Sequence, residues 1–187
     1  IHRDGSPIPA LMVLHSDGRY LKDMLQKRPT KVRLIVDGTL SQGVTTHVSG
    51  TIKGKELPDE AVAIFAHHDC SPGPGANDNL SGVSVALELA GILSKHRLKR
   101  SLLFFFLGAG EGCGLGSYDY MEKHREEVRR KVKAAMELDM CGVGGKLSIV
   151  TECREEASGK EGLVIRTTDW LNKFMGSAAH DLGFSVG

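Results

Sequence analysis

Three short, mostly apolar runs at 61–66, 102–107 and 132–138 constrain this chain more than any other feature. Runs of that length closed by Gly or polar residues are the pattern of strands buried on both faces of a parallel sheet. The segments between them are long enough for a loop and a helix, so the order is β-α-β-α-β. That order predicts an α/β fold, a doubly wound, mostly parallel sheet with helices on both faces. The runs end at His67-His68-Asp69, at Gly108-Ala109-Gly110-Glu111 and at Asp139. Open α/β sheets bind ligands off the carboxyl ends of their strands. One sheet edge therefore gathers a histidine and several carboxylates from distant parts of the chain, a set that suits zinc or a similar divalent ion.

The remaining segments are read around that core. Pro7-Ile8-Pro9 precedes an apolar run at 10–14, and Ser16-Asp17-Gly18 reads as a turn or N-cap before a short helix at 20–26. Alternation predicts strands at 31–37 and 44–54, with a polar turn at 55–60. A helix is predicted over 81–96, with Val83, Leu87, Ala90 and Ile92 or Leu93 on its inner face. Another is predicted around 118–130, a strand near 147–151, a polar loop at 152–162 and a last helix over 168–182. There is no internal repeat and no low-complexity tract.

The 187 residues suffice for one well-buried domain with part of another. A net charge of +1 with 25% charged residues gives no electrostatic case for nucleic acid or an anionic membrane. No apolar stretch reaches the length of a membrane span, and no signal-peptide pattern opens the sequence. Compartment and oligomeric state are left open. The four cysteines, Cys70, Cys113, Cys141 and Cys153, are too few and too scattered for a disulfide framework. Three of them lie within two residues of Asp69, Glu111 and Asp139. They read as small buried hydrophobes, as thiols at a metal, or as one disulfide.

In His67-x-Asp69, strand alternation puts both side chains on one face, where a carboxylate can orient a ligating imidazole. His68 faces the other way and reads as structural. Alone, the pair is equally a satisfied buried histidine. The loop Pro74-Gly75-Ala76-Asn77-Asp78-Asn79-Leu80-Ser81-Gly82 is more specific. Asp78 sits before a helix start as either a cap or a carboxylate that bridges two cations, with Asn79 and Ser81 as further capping candidates.

These motifs, with Glu88, Gly116-Ser117 and Leu138-Asp139-Met140, resemble the di-zinc exopeptidase family of the M28 type. Its members include bacterial aminopeptidases, glutamate carboxypeptidase and the transferrin receptor. The resemblance covers roughly residues 45–187. It implies a zinc-exopeptidase domain over 44–187 and the remnant of a protease-associated insert segment over 1–43, for which Ile8-Pro9-Ala10 and Asp17-Gly18-x-x-Leu21 are the cues. It implies two zinc ions: His67, Asp78 and Asp139 at the first, with Asp78 bridging to a second that Glu111 shares with a late histidine. It implies that Asp69 orients His67 and that the Asp78-Asn79 peptide bond is cis. The implied activity is hydrolysis of N-terminal peptide bonds in a peptide substrate.

Two departures from the family pattern stand out. Aligned without a gap between Ala109 and Gly116-Ser117, Glu111 falls on the metal ligand and Gly110 on the general base, which a glycine cannot supply. In a shifted register Glu111 becomes the base and a ligand is lost. Glu137, on the face of Asp139, is a substitute base, and a Gly110→Glu change is expected to restore one. The last histidine ligand of the family lies later than His180, which reads as a surface position of the final helix, so the resemblance implies a domain that is incomplete here. Beside the aminopeptidase stand two alternatives: an impaired family member serving as a binding or receptor-like module, and an unrelated α/β hydrolase. Against the last, no Gly-x-Ser-x-Gly elbow and no phosphate-cradling loop occur.

Overall fold

The computed structural model describes residues 11–37, 39, 41–71, 73–112, 114–144, 147–150, 152–155 and 163–186. Ile8-Pro9-Ala10, Cys113, the Cys153 side chain and residues 156–162 lie outside the described part. The chain divides into two compact units, Ile1–Val44 and Thr45–Gly187.

In the first unit the described residues form one helix, α1 (His15–Lys27). It starts earlier than predicted, taking Ser16-Asp17-Gly18 into its first turns. Ser and Asp are tolerated there because the first N–H groups have no intrahelical partner and an acid favours the positive end of the helix dipole. The strand predicted at 31–37 does not form: these residues carry no regular structure, and Val32, Ile35 and Val36 are exposed. Alternation alone is not enough for a strand, which needs a neighbour to take its hydrogen bonds.

The second unit is built on four strands: β1 (Val48–Ile52), β2 (Leu57–His67), β3 (Arg100–Leu107) and β4 (Val132–Glu137). Their spatial order is β1-β3-β2-β4. β2 runs parallel to both β3 and β4, while β1 is an antiparallel edge. The doubly wound, mostly parallel arrangement expected from the apolar runs is thus present. The turn predicted at 55–60 is a correction: β2 already begins at Leu57 and slips register between Leu57 and Ala61. Pro58 has no N–H to give to a ladder. Instead the Ser101 hydroxyl donates to the Pro58 carbonyl at 2.8 Å and accepts the Gly54 N–H at 3.1 Å.

α2 (Leu80–Leu93) and α3 (Leu115–Lys131) cover opposite faces of the sheet. On one face Ile64 and Phe104 pack with Ala86 of α2, flanked by Leu89, Ala90, Leu102, Phe106 and Leu138. On the other, Phe105 meets Tyr120 of α3, ring centres 4.9 Å apart. The predicted inner face of α2 holds at Ala90 and is corrected at Leu87 and Ile92. Leu87 is 55% exposed and Ile92 is exposed too, while Gly82 and Ala86 are buried. This helix is apolar nearly all round, so spacing could not choose its inner face. Close approach to the sheet chose it, because a β-carbon at Gly82 would lie 2.1 Å from the Leu138 carbonyl oxygen.

Beyond β4, a single parallel bridge joins Leu147 to Val186 where a strand at 147–151 was predicted. The strand lies further on. β5 (Glu152–Glu155), inside the predicted polar loop, pairs antiparallel with β6 (Leu163–Arg166). Pairing, which a polar run does not announce, gives β5 its conformation. α4 (Asp169–Asp181) closes the unit as expected.

Candidate metal centre

The centre assembles at the carboxyl ends of β2 and β4. The two strands are in parallel register, with Phe65 beside Glu137 and the Leu138 N–H donating to the Phe65 carbonyl at 2.9 Å. Two residues on, His67 and Asp139 therefore emerge on the same side. The third member, Asp78, comes from the loop before α2, and its peptide bond to Asn79 is cis. His67 Nε2 lies 3.0 Å from Asp78 Oδ1 and 3.8 Å from Asp139 Oδ1. One donor atom from each of the three falls within 4.8 Å of the other two.

The tautomer of His67 follows from its other nitrogen. Nδ1 is 3.0 Å from the main-chain oxygen of Asp69. That oxygen can only accept, so Nδ1 carries the hydrogen. In the neutral ring the Nε2 lone pair then faces two carboxylate oxygens. At that spacing the carboxylates repel each other by roughly 1–4 kcal/mol, nearer the lower figure for half-exposed groups. Three converging lone-pair atoms are complementary to a cation. A histidine and two carboxylates form a donor set that zinc accepts. His67 itself is only 9% exposed, which fixes its ring, while both carboxylates remain open to solvent.

Asp69 acts differently from the expectation that its carboxylate orients His67. The carbonyl takes the imidazole N–H, and the nearest carboxylate oxygen is 3.6 Å from Nδ1. The carboxylate instead accepts the N–H groups of Gly110 at 2.8 Å and Glu111 at 3.1 Å. Burial works to raise its pKa, but the Gly110 and Glu111 donors, its own N–H and the nearby His67 ring together hold the carboxyl below its ordinary value. Glu111 answers from the other side, its carboxylate accepting the Ser71 N–H at 3.0 Å. It stands outside the group formed by His67, Asp78 and Asp139.

Gly110 packs against His67. A β-carbon there would lie 2.3 Å from His67 Cβ and 2.4 Å from Cγ, so no side chain fits unless the imidazole moves. Glu137, beside Phe65, has its carboxyl pushed above the ordinary range by loss of water and by the Asp139 carboxylate, with His67 opposing. His68 points away and donates from Nε2 to the Thr46 carbonyl at 3.0 Å. His180 lies on α4 with an almost fully exposed side chain.

The reading of the cysteines as buried hydrophobes is corrected for the two described, since Cys70 and Cys141 are free and exposed. Cys70 donates to the Gly73 carbonyl at 3.1 Å and Cys141 approaches the Asp139 carbonyl at 3.8 Å. Neither belongs to the three-residue group. Loss of some water around the sulfur of this otherwise exposed residue, and the Asp139 carboxylate, raise the Cys141 pKa and so favour its thiol form. Capping of α2 falls to Asn79 and not to Asp78: its Oδ1 accepts the Gly82 N–H at 3.1 Å. A cleft of about 250 Å³, lined by Ala61, Phe105, Tyr120 and Lys131 among others, lies under α3 toward the opposite strand ends and shares no residue with the centre. Among the described residues no helix is long and apolar enough to cross a membrane.

Comparison with known proteins bears on this geometry. The model of peptidase family M28 matches residues 47–183. The chain is 34% identical over 139 residues to the aminopeptidase YwaD of Bacillus subtilis, an alignment covering 72% of this chain and 29% of that one. It is 32% identical over 106 residues to a probable zinc metalloprotease of Leptosphaeria maculans, covering 52% of this chain and 24% of that one. Among solved structures, a zinc aminopeptidase from Bacillus subtilis superposes with a TM-score of 0.59 at 29% identity, over 75% of this chain and 33% of the other. The chain thus spans less than a third of the length of these curated relatives.

Proposed function

The chain belongs to peptidase family M28, and from that premise we propose that it carries the metal centre of a zinc-dependent aminopeptidase that hydrolyses N-terminal peptide bonds. Membership sets aside an unrelated α/β hydrolase. The observation that carries the proposal is the convergence of His67, Asp78 and Asp139 on one point. A zinc ion held by His67, Asp78 and Asp139 would supply Lewis acidity and acidify a bound water. The chain's own part is positional. The Asp69 carbonyl keeps Nδ1 protonated and turns Nε2 inward. Asp78, with its second carboxylate oxygen, can serve a second ion. Glu111, whose carboxylate accepts the Ser71 N–H, is the candidate ligand for that ion. We read residues 44–187 as the catalytic domain and 1–43 as the remnant of a protease-associated insert segment.

Gly110 favours a second reading, an impaired member that binds a ligand without turning it over. A positioned base contributes about 10²–10⁴-fold to such reactions, and this position can neither supply one nor admit one beside His67. The deciding experiment is zinc content by mass spectrometry together with hydrolysis of aminoacyl anilides by the purified chain. Zinc with turnover supports the aminopeptidase. Zinc without turnover supports the binding module, and a chain that takes up no zinc removes the aminopeptidase.

A further inference from the structure

We propose that Asn77 and Asn79 are positioning residues: their amides, on either side of Asp78, grip the main chain around Asp139 and set the spacing of the two carboxylates before His67. The inference rests on the metal-centre reading above.

Asn79 is 0% exposed, and three main-chain groups use its side chain. Nδ2 donates to the Leu138 carbonyl at 2.8 Å. Oδ1 accepts the Met140 N–H at 3.2 Å and the Gly82 N–H at 3.1 Å. Asn77 reaches the same segment further along, its Oδ1 accepting the Gly142 N–H at 3.0 Å. Its own main chain is held by the Ser81 hydroxyl, which donates to the Asn77 carbonyl at 2.6 Å. The loop before α2 and the segment after β4 are thus joined at positions 138, 140 and 142, with Asp139 inside the join on one side and Asp78 on the other.

The chemistry of Asn79 exceeds what a helix cap requires. Capping needs only an acceptor for Gly82, which Ser, Thr or Asp supplies equally well. Donating to Leu138 while accepting from Met140 requires an amide: Asp has no hydrogen to give and Ser has one polar atom too few. The glycines on both sides of the join are consistent with this, since a β-carbon at Gly82 would meet Asn79 Oδ1 at 2.5 Å and one at Gly142 would meet Asn77 Oδ1 at 3.0 Å. Two like charges this close separate unless something restrains them. Here the restraint is neutral and permanent, so the site is organised before any ion arrives.

The test uses the full 187-residue chain loaded with Co²⁺, whose visible bands report coordination geometry, with Zn²⁺ affinity from calorimetry. Asn79→Asp keeps both acceptor bonds, loses the donor to Leu138 and adds a negative charge next to the ion. Charge alone strengthens binding; the positioning role requires weaker binding, by about 10–100-fold, and shifted bands. Asn77→Ala is expected to weaken binding about 10-fold with shifted bands, while Asn77→Asp, which keeps the acceptor for Gly142, retains the wild-type bands. Should Asn79→Asp fail to fold, the Asn77 pair decides. Bands and affinity unchanged in Asn77→Ala, with only the melting temperature lowered, mean a purely structural role and overturn the proposal. A wild-type chain that binds no Co²⁺ removes the metal-centre reading and this proposal with it.

Discussion

Gly110 and His67 occupy adjoining space, and a β-carbon on the first would sit 2.3 Å from that of the second. The absence of a side chain at position 110 is therefore matched to the position of the imidazole, and replacing it alone is not expected to recreate a base.

The first consequence concerns Gly110→Glu, which sequence reasoning offers as a rescue. It is expected to lower zinc affinity by about 10-fold or more through displacement of His67 and to yield no gain in anilide hydrolysis. Zinc titration beside an activity assay checks it. Undiminished affinity together with new turnover would show that the packing against His67 yields.

A second concerns ligand identity. His67→Ala and Asp78→Ala should each weaken the tightest zinc site by more than the roughly 10–100-fold typical of outer partners. Glu111→Gln should leave that site within about threefold, since Glu111 stands outside the group. Affinity should also fall with pH, because the ligands must shed protons to bind. Calorimetric titration at two pH values reads both effects, and loss of the tightest site in Glu111→Gln counts against this assignment.

A third concerns Asp69. Its folded-state pKa is depressed, so the stability it contributes is present above the unfolded value of about 3.9 and is lost as pH falls through the folded value. Asp69→Asn, which withdraws charge from the Gly110 and Glu111 N–H groups, should cost about 1–3 kcal/mol at neutral pH. The difference from wild type should vanish in strong acid. Urea unfolding across pH tests it, and a pH-independent difference would refute the assignment.

A fourth tests how α2 faces the sheet. Phe104→Ala should cost about 3–5 kcal/mol, because Phe104 is 3% exposed in the core. Leu87→Ser should stay within about 0.5 kcal/mol, as surface changes do. Denaturant midpoints of the two variants suffice, and a large loss for Leu87→Ser means the helix is rotated from the position described.

The legible part of this molecule lay in local signals. Residues 61–66, 102–107 and 132–138 announced their strands because mostly apolar stretches of this length have few other destinations. The expected sites at His67 and Asp139 followed from where those stretches end, and Asp78 from the loop motif before the next helix. What escaped depends on partners in space. Residues 31–37 alternate but find no neighbour, whereas Glu152–Glu155 lacks any strand signal and has one. Leu87 lies outward because Gly82 and Ala86 allow the closer approach, a choice that no periodicity in an apolar helix reveals. Asn79 was readable as a cap, but its hold on Leu138 and Met140 spans about sixty residues and has no signature in the string. The use of the Asp69 carbonyl in place of its carboxylate is likewise a matter of angstroms.

The donor atoms of His67, Asp78 and Asp139 belong to a strand end, a loop and a second strand end that are far apart along the chain. An ion gripped by all three would be a removable cross-link, tying together segments that only the folded chain brings near. Unfolding then requires expelling the ion, and the resistance grows with the logarithm of free ion concentration, by about 2.7 kcal/mol at a hundred times the dissociation constant. Metal supply would in this way govern how long the fold endures as well as what it can do.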